Sequence, residues 1–274
     1  MTSTRDDTMA FYRDNAETYA ARDRQPPTDR LAAFIARLSP GAAVLDLGCG
    51  GGHDSLHLIE AGLEVTPCDG SAELARAAER RIGRKVEIVT FQDIERSQRF
   101  DAIWAEASLL HVPRTELPDV LVRVHRALRP GGLLQASFKA GEREGHDRFG
   151  RYFNYPSAAW LRTCFEWAGW SNIHIEEADG GGYDNQPTRW LHVTATADHA
   201  TPRSGLLPSC ARRRTLRASV STIDRKMKGP RVQEDCTARS NCRFARLLPV
   251  SLNPIRFKDK NLRPFKVRQR RLRV

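Results

Sequence analysis

The segment VLDLGCGGGHDS, residues 44–55, decides the fold. An apolar run of strand length carries one acid, Asp46, and breaks into glycines at 48, 50, 51 and 52. A glycine-rich turn between a strand and a helix brings backbone close to a ligand. A dinucleotide turn of the G-x-G-x-x-G type, started at Gly48 and Gly50, meets His53 where its third glycine belongs. No Gly-Lys-Ser/Thr follows, so a Walker-type phosphate loop is excluded as well. What remains is D-x-G-x-G-x-G. A carboxylate two residues before the first glycine repels a pyrophosphate but accepts hydrogen bonds from an amine. The turn therefore points to a ligand with a cationic amino-acid end.

Outward from this turn, two textures alternate. Short apolar runs at 42–47, 64–69, 86–91, 100–107 and 133–139 read as strands, and amphipathic stretches at 31–38, 54–62, 71–83, 116–132 and 157–169 read as helices. Ser71 is placed to cap the third helix and Gly83 to stop it. Repeated strand–helix alternation predicts a parallel sheet with helices on both faces. The last two strands, 172–178 and 189–197, have only DGGGYDNQPT between them. That connection is too short for a helical crossover, so they should pair antiparallel. The expectation is an α/β, doubly wound, seven-stranded sheet with one antiparallel strand. Ligands of such sheets sit at the carboxyl ends of the strands.

Charge is divided unevenly. The chain has 274 residues and a formal net charge of +11. Residues 201–274 hold 21 Lys/Arg against four acids, net +17, which leaves 23 basic and 29 acidic side chains, net −6, in the first 200. All Trp and Tyr lie in that acidic part. The basic part has lost periodicity and predicts disorder. It reads either as an arm for RNA or a membrane surface, or as an appended extension without function. The six cysteines form no CxxC pair and no zinc-ligand spacing, so no metal is expected. No signal peptide and no apolar run of spanning length is present, and a cytoplasmic chain with reduced thiols is the simplest reading.

VLDLGCGGG followed by VTPCDGS resembles the first two motifs of the class I S-adenosylmethionine-dependent methyltransferases. The resemblance spans about residues 10–197 and implies that family's Rossmann-like fold with a reversed terminal hairpin. It implies S-adenosyl-L-methionine as cofactor. Asp46 and the backbone of Gly48, Cys49, Gly50 and Gly52 would hold the methionine part. Asp69, with Gly70 and Ser71 behind it, would take the ribose hydroxyls; it follows Gly48 by 21 positions, near the spacing of a ribose-binding acid. Asp69 also reads as a simple neighbour of the Ser71 cap. After the third strand, Asp93 would accept from the adenine amine and Ile94 pack on its ring, unless Asp93 is a solvated loop acid. Glu106 would lie near the methyl group. Pro67 departs from a regular second strand and is expected to distort its edge near Asp69.

Methyl transfer from a sulfonium needs alignment and exclusion of water more than a catalytic group. No catalytic residue is forced here. For substrate contact the candidates are His111, Lys139, Arg148 and Tyr152, with Glu142, Glu144, His146 and Arg151 in the same off-pattern segment, 141–156. His111 reads as a base or as a structural residue, and Lys139 as an anion contact or a solvated lysine. Tyr12 and Tyr19 share one face of the helix-like segment 11–25, and either cap the cofactor or pack the helix down. After strand four, AEASLL lacks the Asn/Asp-Pro-Pro-aromatic pattern of enzymes that methylate base amines. A small molecule is therefore the expected acceptor, with an RNA-directed enzyme or RNA-binding protein using the tail as the alternative. The organisation expected is a helical cap over 1–30, the methyltransferase domain over 31–198 and a basic tail over 199–274.

Overall fold

In a computed structural model of the chain, residues 4–22, 29–184 and 186–198 are described. The expectations for 199–274, disorder and an RNA-binding arm alike, lie outside them. Among the described residues nine strands form: β1 (Ala43–Leu47), β2 (Glu64–Asp69), β3 (Glu87–Ile88), β4 (Phe100–Ala105), β5 (Leu128–Lys139), β6 (Gly145–His146), β7 (Tyr152–Phe153), β8 (Ser171–Gly181) and β9 (Pro187–Ala197). The helices are α1 (Thr4–Asp14), α2 (Ala16–Ala20), α3 (Asp29–Ile35), α4 (His53–Glu60), α5 (Ala72–Ile82), α6 (Leu117–Ala127) and α7 (Ala158–Trp167).

Seven strands make one sheet in the order β3-β2-β1-β4-β5-β9-β8. β9 alone runs antiparallel to its neighbours, pairing so with both β5 and β8. The reversed hairpin is thus where its short connection put it. Order reverses between β1 and β4: the chain moves outward from β1 to β2 and β3, then returns to its other side. Crossovers there leave on opposite faces, which opens a crevice at the carboxyl ends of β1 and β4.

Strand side chains alternate between two cores. Leu45, Leu47, Ile103, Ala105, Leu134, Ala136 and Phe138 face α6 and α7, whose Leu117, Val120, Leu121, Val124, Leu161 and Phe165 are buried against them. Val44, Ala102, Trp104 and Leu133 face the other way, onto Leu31 and Phe34 of α3 and Leu58 of α4.

Several element boundaries differ from the sequence expectation. β3 is two residues long, and Phe91–Asp93 winds into a 3-10 turn. The β1–β2 ladder runs unbroken through Pro67, and pairing with β3 starts only at Cys68. Pro67 therefore sits where β2 has no outer partner, and the expected distortion near Asp69 is absent. α6 stops at Ala127, and Leu128–Lys139 is strand. Pro130 disfavours helix in the residue before it, so the extended backbone begins at Leu128, five residues before the expected strand. β4 ends at Ala105, and Ala107 takes a φ of 50°. The N-terminal segment is helical from Thr4 and breaks at Asn15, whose Nδ2 donates to Phe11 O. Ser71 and Ser157 both cap as their sequence positions suggest, accepting from Leu74 N and Trp160 N.

Trp104 is the largest fully buried side chain. Its ring lies 5.0 Å from Phe34, and Nε1 donates to Asp54 Oδ2 at 3.0 Å. Trp104→Ala is expected to lower the unfolding free energy by about 3–5 kcal/mol in urea denaturation. Trp104→Phe, which keeps a ring but loses the donor, should cost about 1–2 kcal/mol.

Candidate active site

The glycine turn is held by what lies behind it. Gly48 N and Cys49 N both donate to Cys68 O at 2.9 Å, and Gly50 N donates to Asp69 Oδ2 at 2.9 Å. Asp69 Oδ1 accepts from Ser71 N at 2.8 Å. One carboxylate thus joins the turn after β1 to the start of α5. Gly48 has a φ of 79°, and a Cβ there would stand 2.5 Å from Ser108 Cβ. Only glycine allows the turn to meet the loop after β4. Asp46 is buried, and Ser55 Oγ donates to its Oδ2.

Beyond the turn opens a cleft of about 480 Å³. Asp46, Gly48, Cys49, Gly50, Asp69, Gly70 and Glu106 line it, together with His111 and Lys139. The structure therefore brings most of the sequence-selected residues to one place. Gly52 and Ser71 are not on its lining: Gly52 begins α4 with a φ of 76°, and Ser71 caps α5.

The remaining candidates lie elsewhere. Asp93 is exposed and accepts from Thr90 Oγ1, and Ile94 is buried in the core. The 3-10 turn after β3 rotates them away, and Val89, Thr90, Phe91 and Gln92 line the cleft in their stead. Arg148 pairs with Asp184 at 3.5 Å away from the lining, and Tyr152 Oη donates to Glu144 Oε2. Its neighbours Arg151 and Phe153 reach the cleft instead, because strand side chains alternate. Glu142 and His146 are likewise off the lining.

The N-terminal helices form one wall. Thr8, Met9, Tyr12, Tyr19 and Arg22 line the cleft. Arg81 donates to Gly51 O and, at 2.9 Å, to Ala20 O, tying α5 to the turn and to α2. Thr8 Oγ1 accepts from Tyr152 N at 2.8 Å. Sequence reading missed Arg22, Phe91, Tyr183 and Trp190. Tyr183 sits in the loop of the β8–β9 hairpin, and only the sheet order carries that loop over to α2, where its ring stacks on Tyr19 at 5.5 Å.

His111 belongs to a 3-10 turn after β4 and is held from two sides. Its Nδ1 lies 2.6 Å from Tyr152 O and its Nε2 2.8 Å from Tyr12 Oη. A carbonyl only accepts, so Nδ1 carries the hydrogen and Tyr12 donates to the Nε2 lone pair. Burial lowers the His111 pKa to about 3, outweighing the Tyr152 carbonyl. Burial likewise raises Tyr12 well above its ordinary value, with Tyr19 next in weight. Both members of the pair are neutral, and a ring with its free lone pair engaged is a poor base in this arrangement. Cys49 and Cys68 are not nucleophiles either: burial raises both thiols, Cys68 to about 12. Burial also lifts Asp69, while the amides of Ser71, Gly50 and Gly70 act the other way.

The folded His111 titrates below its unfolded value of 6.5. Its contribution to stability is therefore full above about pH 6.5 and is lost as pH falls toward about 3. Nitrogen-15 NMR of the imidazoles is expected to show His111 as the Nδ1–H tautomer, uncharged at pH 5. A ring titrating near 6.5 would contradict the geometry.

Comparison with known proteins follows the same lines. Residues 44–132 match a family described as a methyltransferase domain. The chain is 30% identical over 114 residues to an uncharacterized methyltransferase of Synechocystis sp., covering 41% of this chain and 51% of that protein. It is 36% identical over 114 residues to a ubiquinone biosynthesis O-methyltransferase of Xanthomonas axonopodis pv. citri, covering 38% and 46%. It thus spans about half the length of the curated relatives it matches. Among solved structures, a 1,6-didemethyltoxoflavin-N1-methyltransferase of Burkholderia thailandensis, bound to 1,6-didemethyltoxoflavin and S-adenosylhomocysteine, superposes with a TM-score of 0.55 at 23% identity, over 71% of this chain and 87% of that one. A phosphoethanolamine N-methyltransferase 2 of Haemonchus contortus gives 0.58 at 16%, over 72% and 60%. At these identities the likeness is one of fold.

Proposed function

We propose that this chain is a class I S-adenosylmethionine-dependent methyltransferase that binds its cofactor at the glycine turn and methylates a small-molecule acceptor in the same cleft. The observation that carries this reading is the state of the turn's amides. Gly48 N, Cys49 N and Gly50 N, the groups a phosphate loop would aim at its ligand, are already engaged by Cys68 O and Asp69. The cleft next to them is lined by Asp46, Asp69 and Glu106. Such a surface suits an ammonium group and a ribose diol and is hostile to pyrophosphate. Ser108 Oγ, buried on the same lining, has no hydrogen-bond partner among the described residues and offers one more polar contact.

Bound there, S-adenosylmethionine supplies a methyl carbon on a sulfonium with its leaving group already attached. Asp46 would orient the amino-acid end and Asp69 the ribose, while Phe91 and Gln92 take the part first given to Ile94 and Asp93 beside the base. Met9, Tyr12 and Tyr19 exclude water, and the Tyr12–His111 hydrogen bond holds that cover shut over the β4 loop. Alignment and desolvation then account for catalysis, with in-line displacement as the geometry required of the acceptor. A cleft of about 480 Å³ is of the size that takes small ligands. The net charge of −6 over residues 1–200 argues against a surface that tracks nucleic-acid phosphates.

Isothermal titration is expected to show S-adenosylhomocysteine binding that Asp69→Ala weakens by roughly tenfold or more, the order of losing hydrogen bonds to a charged acceptor. Gly48→Ala should weaken it too, because the new methyl displaces Ser108. NADH should give no heat. Normal binding by Asp69→Ala, or tight binding of NADH, would sink the assignment.

A further inference from the structure

Part of the cleft lining has the opposite charge. Lys139, at the end of β5, holds its Nζ 4.3 Å from the centre of the Phe153 ring and 5.9 Å from that of Trp190. The Arg151 guanidinium lies 5.3 Å from the same Phe153 ring and 4.8 Å from Tyr183. The Arg22 guanidinium lies 4.7 Å from that Tyr183 and 4.4 Å from Tyr19. Shared rings thus gather three cations on one wall.

Their compensation is incomplete. Arg151 is buried and donates through Nε and Nη2 to Asp147 Oδ2. Asp184 pairs with Arg148, and Asp179 at the rim is exposed. Lys139 and Arg22 make no ion pair among the described residues. Arg22 Nε and His192 Nδ1 are buried without hydrogen-bond partners there, and both residues line the cleft. Burial, followed by Arg151, lowers the Lys139 pKa, against the opposite pull of Asp184 and Asp147.

We infer that the methyl acceptor is a small planar anion, a conjugated carboxylate or phosphate ester, whose charge is met by Lys139 and whose flat face packs against Tyr183 and Trp190. The inference rests on the reading of the glycine turn as the cofactor end. The amino-acid end of that cofactor carries a carboxylate of its own, which Arg22, over the Tyr19 ring beside Gly50, is placed to meet; Lys139 is what remains for the second molecule. An anion there supplies the hydrogen bonds that Lys139 otherwise lacks. Aromatic walls already faced by cations hold a conjugated ring by stacking, which an aliphatic acid would not exploit.

Binding of benzoate, phenyl phosphate, benzamide and benzylamine is measured by titration calorimetry on the full chain, with and without saturating S-adenosylhomocysteine. Benzoate and phenyl phosphate are expected to bind about tenfold or more tightly than benzamide, and benzylamine least. Lys139→Gln should remove that preference while leaving benzamide and S-adenosylhomocysteine affinities unchanged, and Lys139→Arg should retain most of it. Equal affinity for benzoate and benzamide, no measurable binding of either anion at millimolar concentration, or a preference that survives Lys139→Gln would overturn the proposal. Anion preference without any S-adenosylhomocysteine binding would instead leave the anion wall standing and overturn the cofactor reading.

Discussion

The rest of the site depends on the Asp69 carboxylate. Its two oxygens accept from Gly50 N and Ser71 N, so the end of β2 fixes both the turn after β1 and the first turn of α5. Gly50 and Ser71, 21 positions apart in the chain, are thereby held by one side chain. The clamp also decides what the turn can bind. Amides that point backward to Asp69 and Cys68 are unavailable to an anion in front. The acid that shapes the cradle therefore also removes its capacity for phosphate, and a glycine-rich turn becomes a site for a ligand rich in donors.

A second constraint is the cover. α1 and α2 together are too short and too polar to be stable alone. They are fixed by contacts with three separate parts of the sheet domain. Arg81 reaches Ala20 O from α5, Tyr12 reaches His111 after β4, and Thr8 accepts from the backbone of β7. Each is a polar contact near the cleft, where a core of apolar side chains would have filled the ligand space. Neutrality of Tyr12 and His111 lets that part of the cover be buried without the cost of a charge.

Much of this was legible in the sequence, for identifiable reasons. Strand and helix order followed from period and length, and the hairpin followed from a connection too short to cross the sheet. That Asp46, Gly48 and Asp69 line one cleft was legible because the turn and the strand end beside it lie within a few residues of one another in the sheet. Asp93 and Ile94 were misplaced because a 3-10 turn shifts the facing residue by one or two, and periodicity carries no signal for that. Tyr152 and Arg148 were chosen alongside Arg151, since a two-residue strand gives no alternation to read; of that segment Arg151 and Phe153 line the cleft. Arg22 and Tyr183 could not be found at all. They are 161 positions apart in the chain and meet only because β9 is inserted between β5 and β8.

The opposed charges on the lining of one cleft raise a problem of their own. Acids and cations in one low-dielectric cavity attract strongly and would pair with each other if they met. Tyr12 lies within electrostatic reach of both Asp69 and Arg151, and it feels them with opposite sign. With its hydrogen bond to His111 it places an uncharged pair on the lining that both kinds of charge share. Neither partner takes a proton in the folded state near neutral pH, so the pair does not change with the charges beside it. A displacement that consumes charge gains where neither water nor a fixed ion solvates the reacting groups. Neutral Tyr12 and His111 meet that condition on the cleft lining. Mobile or protonated side chains there would let the opposite charges neutralise one another.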